Sequence, residues 1–177
     1  MGGVGRLGHQ GIGASSRGRG WVPRLLGLLR AQRDPRWRVV NLARSSALAG
    51  DVLAEQLPLL EAIPAPQLVT CAVGANDLLR TRPSRLPADL RAVVGRLPAG
   101  AVVATLPQGL RASRARAVNA VLVAAAADRH LAVADVWART GPPWQHKFAA
   151  DHFHPNDLGY GDWLAAFAEA VGLDPAG

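Results

Sequence analysis

The chain has 177 residues, a single cysteine and a formal net charge of +7. That length fits one domain whose core needs no covalent staples; the lone Cys71 excludes a disulfide framework, and no apolar stretch is long enough to span a bilayer. No charged segment followed by an apolar one opens the chain as a signal peptide would, so a cytoplasmic protein is expected.

The charge is almost wholly arginine, Lys147 being the only lysine. Those arginines are scattered and not gathered into one block with aromatics between them. Nucleic acid is therefore not the expected partner.

Residues 1–20 are Gly- and Arg-rich without periodic apolar positions, and read as an aberrant N-terminal segment ahead of one domain, 21–177. Val22, Leu25, Leu26 and Leu29 then recur at helical spacing. Arg38 to Leu42 is a short β-branched run that reads as a strand. Asp51 is placed to cap a helix through Leu53, Leu57 and Leu60, with Pro58 bending it. Leu68 to Val73 is apolar on both faces, as a strand inside a covered parallel sheet must be, and it makes Cys71 a core residue.

A helix through Leu86, Leu90 and Val94 leads to the strand 101–106. Val118, Val121, Leu122 and Ala125 mark the next helix, and 131–136 the last strand. Tyr160, Trp163, Leu164, Phe167 and Val171 share one face of a final helix that Gly172 is placed to stop. Strands and helices alternating through short connections predict a three-layer α/β/α fold around a parallel, doubly wound, flavodoxin-like sheet. Its ligand site belongs at the carboxyl ends of the strands.

Two short stretches fall on that edge. Asp151-His152-Phe153-His154-Pro155 sets a carboxylate three residues before an imidazole. Within one tight turn the Asp reaches a ring N–H of the His, fixing its tautomer and leaving the other nitrogen free as a base. Gly74-Ala75-Asn76-Asp77 follows directly on the strand that begins at Leu68.

Together these blocks resemble the SGNH, or GDSL-type, hydrolases, in which Gly-x-Asn-Asp follows the third strand and Asp-x-x-His lies near the C-terminus. The resemblance covers nearly everything from Trp21 onward. It implies hydrolysis of acyl esters by a Ser-His-Asp mechanism with no cofactor and no metal, on a small-molecule ester substrate. Carried over to this chain, His154 is the base and Asp151 its orienter. Asn76 and the Ser46 N–H are the oxyanion donors, Gly74 shapes the turn that aims Asn76, and Asp77 supports the loop.

The chain departs from the family pattern twice. Asn41-Leu42-Ala43-Arg44-Ser45-Ser46 resembles the second block, but Ser46 stands where the family has glycine. No Gly-Asp-Ser, the nucleophile block, occurs anywhere; the nucleophile position is nearest Leu7, and Ser15 and Ser16 fall after it.

The genetic code suggests a cause. Gly2 to Gln10 can be written GGT GGC GTT GGG CGA CTC GGT CAC CAG, and one nucleotide later the same bases read Val-Ala-Leu-Gly-Asp-Ser-Val-Thr. Losing one G from ACC GAG GGC gives the bases of His9-Gln10-Gly11 and restores the frame. The first ten or so residues then read as a shifted or wrongly started copy of a hydrolase N-terminus, with a first strand degraded to a Gly-rich segment, a sheet short of backbone partners at its centre, and low stability.

Three other readings stand beside this one. The first is an inactive SGNH-fold protein that keeps the pocket and binds a ligand. The second is a metal site built on Asp151, His152 and His154. The third is a basic nucleic-acid module.

Overall fold

The computed structural model describes residues 3–7, 11–109, 111–144 and 146–175. Five parallel strands form one sheet in the order β2-β1-β3-β4-β5: β1 Gly3–Leu7, β2 Arg38–Asn41, β3 Leu68–Cys71, β4 Val102–Ala104 and β5 Ala132–Ala134. The strand order reverses between β1 and β3. In this topology a crevice opens there, beyond the carboxyl ends of the strands.

The expectation that the sheet lacks backbone partners at its centre is corrected. β1 pairs on both sides, Val4 to Arg6 opposite Val39 to Asn41 of β2, and Val4 to Leu7 opposite Leu68 to Cys71 of β3. A parallel ladder is built from N–H and C=O groups, which glycine supplies as any residue does. The Gly-rich sequence takes side chains from the strand and leaves its hydrogen bonds.

Helices cover both faces of the sheet. In β3 and the residues after it, Val69, Cys71 and Val73 join one core cluster, while Leu68 and Ala72 join the other. That is the period of two of a strand buried on both faces. The first cluster is closed by α5 Leu86–Arg96 and α6 Ala112–Asp128, together with the α2–α3 region. There α2, Ala49–Asp51, runs through a π-helical turn, Val52–Gln56, into α3, Leu57–Ala62. Pro58, which has no N–H to give, follows that turn directly, at the start of α3. Asp51 is not the cap: its carboxylate reaches back to the Leu48 N–H at 2.8 Å, one turn earlier than the sequence reading placed it.

On the other face, α1 Trp21–Gln32 packs against α8 Asp157–Ala170. The Trp21 and Phe167 rings stack with centroids 3.9 Å apart, and Trp163 lies beside them. Tyr160, Trp163, Leu164 and Phe167 of the expected stripe are buried, and Gly172 turns the chain at φ +66°. Cys71 is fully buried in the core, where desolvation pushes its thiol up to about 12. No helix among the described residues is long and apolar enough to cross a membrane.

Phe167 is buried on all sides, and its ring is half of the stack that joins α1 to α8. Phe167→Ala is expected to cost about 3–5 kcal/mol of folding stability. Urea unfolding followed by far-UV circular dichroism measures it.

Candidate active site

Four segments converge beyond the carboxyl ends of the strands: 44–47 after β2, 74–79 after β3, 105–109 after β4, and the loop of 140–155 before α8. They line one cavity of about 160 Å³. Gly74, Asn76 and Ser46 contribute to it from one pair of segments, and His152, Phe153 and His154 from another. The two sequence blocks, which begin 77 residues apart in the chain, thus share a single space.

The loop that carries His154 is held by backbone pairing. Ala149 N–H donates to the His154 carbonyl at 2.8 Å, and Asn156 N–H donates to the Lys147 carbonyl at 3.0 Å. Within this narrow hairpin Asp151 accepts three hydrogen bonds. Its Oδ1 takes the N–H of Phe153 at 3.0 Å and of His154 at 2.9 Å, and its Oδ2 lies 2.6 Å from Nδ1 of His154.

The hydrogen bond from the His154 ring, helped by the two backbone donors, holds the Asp151 carboxyl well below the usual carboxylate range. Because the folded-state value is depressed, this contribution to stability is complete above the ordinary carboxylate value of 3.8 and is lost as pH falls toward the folded-state one. The pair is partly open to water, so the attraction is screened.

Asn156 fixes the end of the hairpin, a role the sequence reading missed. Its amide donates to the carbonyls of His146 and Phe148, and its Oδ1 caps α8 through the N–H groups of Leu158 and Gly159. An Asn directly after the Asp-x-x-His-Pro run and ahead of an apolar helix was a legible cap signal. Gly159 is required by close approach: a Cβ there would lie 2.4 Å from the Lys147 carbonyl oxygen.

The opposite wall is clamped by the residues that follow Gly74. Gly74 adopts φ +109°, and a Cβ would press on Leu106 at 3.2 Å, so the turn out of β3 requires glycine. Asn76 precedes α4, Asp77–Arg80, and its amide donates to the Ala47 carbonyl at 3.1 Å, which leaves its second N–H for another acceptor. Asp77 is fully buried and accepts from the Ala49 N–H at 3.0 Å and the Thr81 hydroxyl at 2.5 Å. Desolvation raises its carboxyl above the usual range. Arg80 donates to the Ser46 carbonyl at 3.2 Å. Asn76, Asp77 and Arg80 thus each bond to the backbone of the segment 46–49.

Ser46 itself has φ +60°, the left-handed region that glycine enters freely and serine at a cost.

The N-terminal segment from Gly11 to Gly20 does not stand apart from the domain. Gly13, at φ +95°, lies so close to the His154 loop that a Cβ would meet the Pro155 carbonyl at 2.5 Å. The Tyr160 hydroxyl donates to the Ile12 carbonyl at 2.6 Å. Ser15 gives both its N–H and its hydroxyl to Asp157, at 2.8 and 2.5 Å, and neither Ser15 nor Ser16 lines the cavity. Leu7, the residue nearest the expected nucleophile position, is the last of β1, and residues 8–10 lie outside the described ones. Among the described residues no group of three His, Cys, Asp or Glu is placed to hold a metal ion.

An α/β/α fold of this strand order, with Gly-x-Asn-Asp and Asp-x-x-His blocks facing one crevice, defines the hydrolase class named by those blocks. The model of the GDSL-like lipase/acylhydrolase family matches residues 8–161, and the chain belongs to that family. Among solved structures it is similar to TesA at 25% identity, with a TM-score of 0.80, over 96% of this chain and 97% of that one. The acetylxylan esterase Axe2 from Geobacillus stearothermophilus shares the fold at 19% identity and a TM-score of 0.77, over 98% and 94% of the two chains. So does the lipase/acylhydrolase from Enterococcus faecalis, also at 19% and 0.77, over 99% and 98%. No curated protein sequence matches the chain.

Ser46→Gly removes a left-handed strain of about 1–2 kcal/mol and adds unfolded-state freedom of about 0.5–1 kcal/mol. It is expected to leave stability unchanged or raise it by up to about 1.5 kcal/mol, whereas Ser46→Val, β-branched, lowers it. Thermal unfolding of both variants measures the difference.

Proposed function

We propose that the cavity is the site of an acyl-ester hydrolase working through a Ser-His-Asp mechanism, and that the chain as written lacks the serine. The observation that carries this reading is the shared cavity: the imidazole of His154, oriented by Asp151, and the amide of Asn76 line the same space.

In the reaction a serine oxygen at the carboxyl end of β1 attacks the ester carbonyl while Nε2 of His154 takes its proton. Asp151, bonded to Nδ1, stabilises the imidazolium that forms. The carbonyl oxygen becomes an oxyanion that accepts from the free N–H of Asn76 and the backbone N–H of Ser46. Each such donor is typically worth about 3–4 kcal/mol of barrier. The imidazolium then protonates the leaving alcohol. Water, activated by the same base, releases the acid and restores the serine.

A second reading is a ligand-binding protein without turnover. It is supported by the commitment of the Ser15 hydroxyl to Asp157, which takes up one of the two hydroxyls nearest in sequence to the missing block.

The test compares hydrolysis of p-nitrophenyl esters by two chains. One is the sequence as it stands; in the other Val-Ala-Leu-Gly-Asp-Ser-Val-Thr-Glu replaces residues 2–10, which puts serine at position 7. The first is expected to be inactive and the second active, with loss of roughly a thousandfold or more on adding His154→Ala. Hydrolysis by the chain as written that His154→Ala abolishes would overturn the missing-nucleophile half. A folded but inactive serine-bearing chain would overturn the hydrolase half.

A further inference from the structure

We propose that this cavity selects a straight acyl chain of about eight to ten carbons over the acetyl group of a carbohydrate, an inference that rests on the acyl-hydrolase reading of the same site. Three observations carry it: what the polar side chains of the lining already bind, where the exposed apolar side chains lie, and how much room there is.

A carbohydrate is recognised through its hydroxyls, and each needs an uncommitted donor or acceptor. Here the lining polar groups are largely occupied by the protein itself. The amide nitrogen of Gln108 donates to the Trp137 carbonyl. The Thr140 hydroxyl donates to the Val136 carbonyl and accepts from the Gln108 N–H. The Thr105 hydroxyl is held between Asp135 and the Trp137 N–H. Lys147 and Asp162 neutralise one another at 2.8 Å. What stays uncommitted among the described lining residues belongs to the segments of the two blocks and the segment after β2: the second N–H of Asn76, Nε2 of His154, the His152 ring and the hydroxyls of Ser45 and Ser46.

The apolar lining is the reverse, with surface left to cover. Ile12, Leu79 and Trp144 line the cavity and remain 40%, 45% and 40% exposed. Large apolar side chains gathered at one mouth and left open to water gain from a ligand that covers them. Phe148 and Leu106 continue the same apolar surface inward.

The room fits. A cavity of about 160 Å³ takes roughly eleven to sixteen water-sized groups at 10–15 Å³ each. An ester's carbonyl carbon and two oxygens use three of them. At least about eight are left for methylenes, far more than an acetyl group fills.

The experiment uses the chain as it exists and ligands that it has no means of hydrolysing. Straight-chain methyl ketones from 2-butanone to 2-decanone present a carbonyl to Asn76 and a chain to the apolar wall, and binding is read by calorimetry and by Trp144 emission. Each added methylene is expected to tighten binding about fourfold, so 2-octanone binds roughly 250-fold more tightly than 2-butanone, levelling off near 2-decanone.

Trp144→Ala and Leu79→Asp are each expected to weaken 2-octanone at least about tenfold with thermal unfolding unchanged. Affinity independent of chain length overturns the proposal, as does tighter binding of methyl 2-O-acetylxyloside than of 2-octanone. The two readings fail separately. Graded ketone binding with no esterase activity in the serine-bearing chain sinks hydrolysis alone, and acetate-ester hydrolysis without length dependence sinks only the acyl-chain selection.

Discussion

Everything at the site depends on the parallel pairing of β1 with β3 at the point where the strand order reverses. That pairing brings the carboxyl ends of the two strands side by side, Leu7 opposite Cys71. Helices cannot cover the sheet at such a switch, and the segments leaving the two strands must part to opposite sides. The crevice between them is therefore a product of topology before any side chain is chosen. Cys71 and Val73 on one face and Ala72 on the other anchor β3 in both cores at once, so the turn at Gly74 begins from a fixed point.

On that base the two walls are stiffened by different means. The wall at Asn76 is clamped by side chains reaching to backbone: Asn76 to Ala47, Asp77 to Ala49 and Arg80 to Ser46. The wall at His154 is clamped mainly by backbone and by carboxylate or amide acceptors within a few residues: the hairpin pairing, the three bonds to Asp151 and the cap by Asn156. A clamp of the second kind is local and survives changes elsewhere. The first kind couples three segments, so damage to any one of them reaches the cavity.

The sequence carried most of the fold because period and punctuation agreed along the chain. The strands at 38, 68, 101 and 131 and the stripe from Tyr160 to Phe167 follow from apolar spacing alone, as do the two blocks placed at strand ends. What escaped is non-local. Asn119, which the apolar stripe of its helix does not single out, is buried and binds both the N–H and the carbonyl of Leu106, fixing the chain beyond β4. Gly13 and Gly159 are set by backbone from residues 154–155 and 147, which no local pattern announces. The strength of β1 was misjudged because propensity weighs side chains, while a strand flanked on both sides is held by its ladder. Ser46 was the converse. The departure from glycine was visible, and the left-handed backbone that makes it costly was not.

These clamps bear on what a lost nucleophile does to such a molecule. Among the described residues, the contacts that shape the cavity beyond the sheet join 44–49 to 74–80 and 147–156 to α8, with Gly11 to Ser15 packed against the latter. Removing the serine therefore removes chemistry and leaves architecture, since the oriented imidazole, the free amide N–H and the apolar mouth are all positioned by other parts of the chain. On the acyl-hydrolase reading proposed above, such a site binds the acyl portion of its ligand without turning it over, because that binding is uniform between ground and transition state and hydrolysis requires an additional bond that only a nucleophile makes. The same clamps bear on why the Gly-x-Asn-Asp and Asp-x-x-His stretches stand intact in a chain without Gly-Asp-Ser: Asn76, Asp77 and Asp151 each hold backbone in place.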